Sequence, residues 1–175
     1  MSDSLDEENK IAKEQDSIGT ALSAETFNTP IREISMPKVI AIEEDTSIKA
    51  VIDILQKKKI GSVVVTKNGV LSGIVTERDI LLKVICIIKD LEKTKVTEIM
   101  TANPQSLQKE DQVAYVLNNM HVGGYRHVPI VNENDEPVSM ISIKDVISWI
   151  LDFFPQEITN LTGEPFRGAI SREGA

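Results

Sequence analysis

The stretch Gly73-Ile74-Val75-Thr76-Glu77-Arg78-Asp79 returns 66 positions later as Ser139-Met140-Ile141-Ser142-Ile143-Lys144-Asp145. In both, an apolar run ends on a hydroxyl residue, and a carboxylate follows three positions on. A hydroxyl at that place accepts from a first-turn N–H of a helix, and the acid favours the positive end of the helix dipole. The pattern therefore marks the passage from a strand into a capped helix.

Working outward, the same order of elements recurs around each copy. Upstream lie the strands Val63-Val64-Val65 and Pro129-Ile130-Val131, again 66 apart. Turns separate them from the second strands: Lys67-Asn68-Gly69, a strong hairpin signal, and Glu133-Asn134-Asp135, a weaker one. Further upstream, Ile48, Val51, Ile52 and Leu55 mark one face of a helix, and Val113, Val116, Leu117 and Met120 repeat it at an offset of 65. The change from 65 to 66 is expected at His121-Val122-Gly123-Gly124. The chain is thus an internal duplication.

A unit of about 60 residues buries too little surface to be stable alone, so the copies are expected to share a core. The fold expected is α+β: two units, each a short mixed sheet with helices, packed about a pseudo-twofold axis. Residues 1–28 read as a polar tail, 29–88 as the first unit, 89–93 as a linker, 94–154 as the second unit, and 155–175 as a C-terminal tail.

Composition narrows the functional classes. The 175 residues carry 27 acidic and 19 basic side chains, a net charge of −8. That balance repels phosphate backbones, so no nucleic-acid partner is expected. Cys86 is the one cysteine and lies in the apolar run Leu81 to Ile88. It reads as a buried thiol in a reducing compartment. The start, MSDSLDEENK, has no signal-peptide character, and no apolar run reaches the ~18 residues of a membrane span. A cytoplasmic chain without a membrane partner is the expectation. His121 and His127 lack ligand spacing, so no metal is expected. Lys57-Lys58-Lys59 reads as a solvated helix end, and Trp149, Phe153 and Phe154 as packing residues. Asn160-Leu161-Thr162 matches a glycosylation sequon that a cytosolic chain would not use. No nucleophile with its base, metal cluster or acid pair is legible, so the chain is not expected to be an enzyme.

The Ser/Thr-x-x-Asp pairs admit two compatible readings. One is capping alone. The other adds a ligand: phosphate at the helix N-terminus and hydroxyl, with ribose hydroxyls on the carboxylate.

The repeats, the capped Thr76/Asp79 and Ser142/Asp145 helices, the strand Arg126-His127-Val128-Pro129-Ile130-Val131 and the lead-in Val96-Thr97-Glu98-Ile99-Met100-Thr101-Ala102-Asn103-Pro104 together resemble a tandem cystathionine-β-synthase-type (CBS) pair, or Bateman module. The resemblance covers about Thr29 to Phe154. It implies a cleft that binds AMP, ADP, ATP or S-adenosylmethionine, with no metal required. By position it places Asp79 and Asp145 on ribose, and Thr76 and Ser142 on the phosphate side. The base would lie by Ile60, Gly61 and Ser62 and by Tyr125, Arg126 and His127, while Arg78, Lys144 and Pro129 complete the set. Two departures stand out: Ser139 replaces Gly73, and Ile34-Ser35-Met36-Pro37-Lys38-Val39 matches the lead-in only loosely.

The function expected is a regulatory adenine-nucleotide sensor. The apolar Ile80–Ile88 helix adds an expected homodimer, and the absence of an effector domain adds an effector protein in trans. The alternative is a ligand-free dimerisation scaffold.

Overall fold

The structure, a computed structural model, describes Ser23 and residues 25–153. Most of the expected N-terminal tail, the whole C-terminal tail, Phe154 and the sequon lie outside the described residues. The chain divides into two units. The larger is Ala24–Val146, and the described part of the other is Ser23 with Ile147–Phe153.

In the larger unit, β1 (Ala41–Glu43), α1 (Ile48–Lys58), β2 (Ser62–Lys67) and β3 (Val70–Thr76) form the first repeat. The second contains β5 (Leu107–Gln108), α3 (Val113–Gly123), β6 (His127–Val131), β7 (Pro137–Ser142) and the start of α4 (Ile143–Leu151). Between them lie the short α2 (Glu77–Asp79) and β4 (Thr101–Ala102). One sheet has the order β1-β2-β3-β4 and the other β5-β6-β7. Each has a parallel first pair, across which a helix must run, and an antiparallel hairpin. The mixed α+β architecture agrees with the expectation.

Local chemistry explains these elements. The Ser47 side chain caps α1 by accepting from the Ala50 N–H at 3.3 Å, and Lys59 closes it in the left-handed conformation at φ 52°. The first hairpin turn needs positive φ at Asn68 (54°) and Gly69 (85°). In the second only Asp135 takes it, and the Asn132 side chain instead accepts from the N–H groups of Asn134 and Glu136 at 3.0 Å. Strand β2 alternates. Val63 and Val65 face a core with Ile48, Val51 and Leu55 of α1, while Val64 meets Ile74 and Met140, joining the two sheets. In α3, Val113, Val116 and Met120 are buried. In the smaller unit, Trp149 and Phe153 stack edge to face at 5.2 Å.

The repeats exchange their lead-ins. Ile31 N–H donates to the Asp111 carbonyl at 2.8 Å, and Ser139 Oγ donates to the Pro37 carbonyl at 2.7 Å, so residues 29–38 run along the second repeat. Conversely, Val96 N–H donates to the Thr46 carbonyl at 2.8 Å, and β4 adds to the first sheet beside β3. Lys38 bridges Ser139 where Ala102 pairs with Gly73, which makes the loosely matching first lead-in the structural equivalent of the second. Gly73 suits this exchange, because a Cβ there would meet Met100 Sδ unless that side chain shifted.

Three expectations are corrected. The helix expected over Ile80–Ile88 ends at Val84, after a π-turn over Ile80–Val84 closed by Ile85 N–H on the Ile80 carbonyl at 3.2 Å. Cys86 is exposed rather than buried, in a turn at φ 62°. The chain turns away before that thiol can pack. The extra residue of the second repeat falls later than His121–Gly124. The 65 offset persists through helix and strand, since His127 pairs with Ser142 as Ser62 pairs with Thr76. The extra residue therefore lies in the second hairpin, where Glu133-Asn134-Asp135 replaces the two-residue turn Asn68-Gly69.

Candidate functional site

At the end of β3, Thr76 Oγ accepts from Asp79 N–H at 3.3 Å, while Asp79 Oδ2 accepts from Thr76 N–H at 2.9 Å and Thr76 Oγ–H at 2.7 Å. The second repeat reproduces the box: Asp145 Oδ2 accepts from Ser142 N–H at 2.7 Å and its hydroxyl at 2.6 Å. Both hydroxyl protons are thus directed at the repeat's own carboxylate. The boxes differ one turn on. Lys83 Nζ lies 2.7 Å from Asp79 Oδ1 and also donates to the Ile99 carbonyl at 2.7 Å. Burial raises the Asp79 pKa, but the hydrogen bonds from Lys83 and Thr76 outweigh it and hold the carboxyl below its ordinary value.

Beside Asp79 opens a cavity of 620 Å³, within the ~300–1,000 Å³ typical of small-ligand sites. Gly61, Thr76, Arg78 and Asp79 line it from the first repeat. Tyr125, Arg126 and His127 line it from the second. Tyr125 and Arg126, at the register positions of Ile60 and Gly61, bring an aromatic ring and an arginine to this wall. Tyr125 lies so close over Gly123 that a Cβ there would strike the ring, and its hydroxyl donates to Gln105 Oε1. His127 packs on Gly61: a Cβ on Gly61 would lie 3.4 Å from the imidazole and 3.5 Å from Glu77 Oε2. Burial, then Arg126, lowers the His127 pKa, against the opposing pull of Glu77 and Asp145.

The remaining candidates do not line this cavity. Ile60 is half-buried, Ser62 and Pro129 are buried in their strands, and Lys144 is exposed. Ser142 and Asp145 form their own box in the second repeat. Sequence reading missed Glu77, Asn103, Pro104 and Gln105 as walls. Asn103 and Pro104 belong to the quoted lead-in, but the exchange that carries them across leaves no local pattern. Lys83 was legible as an i,i+4 partner of Asp79. Among the described residues no His, Cys, Asp and Glu group could hold a metal, and no helix is long and apolar enough to cross a membrane.

A duplicated strand–helix unit with exchanged lead-ins and a cavity between the copies defines a tandem repeat module. The CBS domain family matches residues 31–85 and 96–152, and the chain belongs to that family. A CBS domain-containing protein of Arabidopsis thaliana, CBSCBSPB5, is 29% identical over 65% of the chain; the match spans 21% of that protein's length. The CBS domain protein PAE2072 from Pyrobaculum aerophilum, solved complexed with AMP, superposes with a TM-score of 0.63 at 26% identity, covering 72% of this chain and 98% of that one. The CBS domain pair of MJ0100, solved with 5′-methylthioadenosine and S-adenosyl-L-methionine, gives 0.59 at 25% identity, covering 69% and 94%.

Proposed function

We propose that the chain is a non-catalytic, cytoplasmic regulatory module that binds an adenine nucleotide in the cavity between its repeats. The observation that carries this reading is one cavity lined by the acidic Glu77 and Asp79 together with the arginines Arg78 and Arg126. Ribose hydroxyls go to the Asp79 carboxylate and phosphate to the arginines, which suit planar, bidentate recognition. Thr76, whose proton is directed at Asp79, supports the carboxylate rather than the phosphate. The base would lie along Tyr125, His127 and Gly61. Ser142, Lys144 and Asp145 form the corresponding half-site. The AMP and S-adenosylmethionine complexes of the two similar structures support an adenine ligand. The arginine pair favours AMP, ADP or ATP over the cationic sulfonium. An effector protein in trans would read the bound state.

Titration calorimetry with AMP, ADP, ATP and S-adenosylmethionine tests this. The nucleotides should bind, and free ligand at a hundred times Kd should stabilise the fold by about 2.7 kcal/mol. Arg126→Ala removes a charge-assisted contact of roughly 1.5–3 kcal/mol and should lower phosphate-dependent affinity at least tenfold. A panel in which no adenine ligand binds refutes the reading. The scaffold alternative would then stand, supported by the exposed Leu81 (62%), Leu82 (59%) and Ile87 (64%).

A further inference from the structure

Counting acceptor positions on Asp79 exposes a conflict. Each carboxylate oxygen carries two lone pairs. Thr76 N–H and Oγ–H take both positions on Oδ2, and the Lys83 ammonium takes one on Oδ1. One position remains, whereas a ribose diol presents two O–H donors. The Asp79 side chain is also only 13% exposed, so there is little room for the diol beside Lys83.

Lys83 has a second attachment, to the Ile99 carbonyl. Ile99 is buried in the first repeat's core, and the N–H groups of Ile99 and Met100 both donate to the Val96 carbonyl. The ammonium therefore ties the cleft's carboxylate to the lead-in of the second repeat. The position 66 residues after Lys83 is Trp149, so the second repeat carries no counterpart in sequence. Among the described residues no ammonium pairs with Asp145.

We propose that Lys83 is an internal competitor for Asp79: a ribose diol that takes the carboxylate displaces the ammonium, and the lost tie at Ile99 transmits occupancy to the 96–100 segment. This rests on the adenine-nucleotide reading and adds the route by which binding leaves the cleft. Lys83 is a regulatory residue acting through Asp79.

The test is calorimetry of the wild type, Lys83→Met and Lys83→Gln with adenosine and 2′,3′-dideoxyadenosine, which carry no phosphate for the ammonium to attract. Removing the competitor should tighten adenosine binding about tenfold, the scale of one charge-assisted hydrogen bond. The dideoxy compound, without a diol, should bind all three proteins alike. A Lys83 that merely holds Asp79 in place predicts weaker adenosine binding in both variants. That result, or unchanged binding, overturns the proposal. Amide exchange of the wild type is independent of the variants' folding: adenosine should speed exchange at Ile99 and Met100, and an unchanged rate overturns the transmission. Adenosine binding to the wild type without these effects sinks this inference alone. Silence of every adenine ligand sinks the nucleotide reading, and this inference with it.

Discussion

Replacing Gly73 by Ala tests the exchanged lead-ins directly. The added methyl would meet not one flexible tip but three successive atoms of Met100: Sδ in collision, Cγ at 3.0 Å and Cε at 3.3 Å. Met100 packs against the first repeat's core, so moving it aside gives up part of that packing. Overpacking of this kind costs about 1–3 kcal/mol. Against it stands the ordinary gain of Gly→Ala, about 0.4–1 kcal/mol through the unfolded chain. The balance is a loss on the order of 0.5–2 kcal/mol, or roughly 2–4 °C in Tm for each kcal/mol at this chain length. Urea unfolding at fixed protein concentration reads it as a lowered midpoint with an unchanged slope. In a Met100→Ala background the collision is gone, and the same substitution should stabilise by about 0.4–1 kcal/mol. The cycle should thus show a coupling on the order of 1–3 kcal/mol. Stabilisation by Gly73→Ala in the wild-type background would refute the packing of residues 96–102 on β3.

Two further outcomes follow from exposed and buried groups. Leu81, Leu82, Ile85 and Ile87 stand exposed around the π-turn, so the chain should dimerise, and Leu82→Glu with Ile87→Glu should return the 19.4 kDa monomer in light scattering; a wild-type monomer at micromolar concentration refutes this. His127 has a folded pKa below its ordinary 6.5, through burial and Arg126 and despite Glu77 and Asp145. Its contribution to stability is therefore complete above pH 6.5 and lost as pH falls through the folded value. His127→Gln should flatten that part of the stability–pH curve measured by urea unfolding, and an unaltered curve counts against it.

The duplicated core was legible because burial imposes period. Ile48, Val51 and Leu55 recur as Val113, Val116 and Met120 since both stripes must cover a sheet. The capping boxes were legible for a similar reason: Thr76/Asp79 and Ser142/Asp145 satisfy the same helix-end N–H groups at the same spacing. Three features were not. The lead-in exchange depends on pairing between segments such as Lys38 and Ser139, which no local pattern encodes. The early end of the helix at Val84 defeats a hydrophobic count, because Leu81 to Ile88 is apolar whether it packs or not. Cys86 was misjudged on that ground, its neighbours' apolarity standing in for a burial that the turn prevents.

The positions where the two repeats disagree carry the functional argument. Core positions keep their character across the duplication, since either copy must fill the same kind of space. Around the cavity they diverge. Ser62 answers to His127, and the neighbouring Gly61 leaves the room that the imidazole occupies. Ile60 and Gly61 answer to Tyr125 and Arg126, which turn an apolar corner into an aromatic and cationic wall. Glu77 answers to Ile143, and Lys83 to Trp149. A duplication kept only as a scaffold has no physical need to break its symmetry at one cavity while preserving it in the core. Concentration of charge and aromatic character at those positions accords with the proposed ligand between unequal halves, and it lies on the Asp79 side, where Lys83 pairs with the carboxylate.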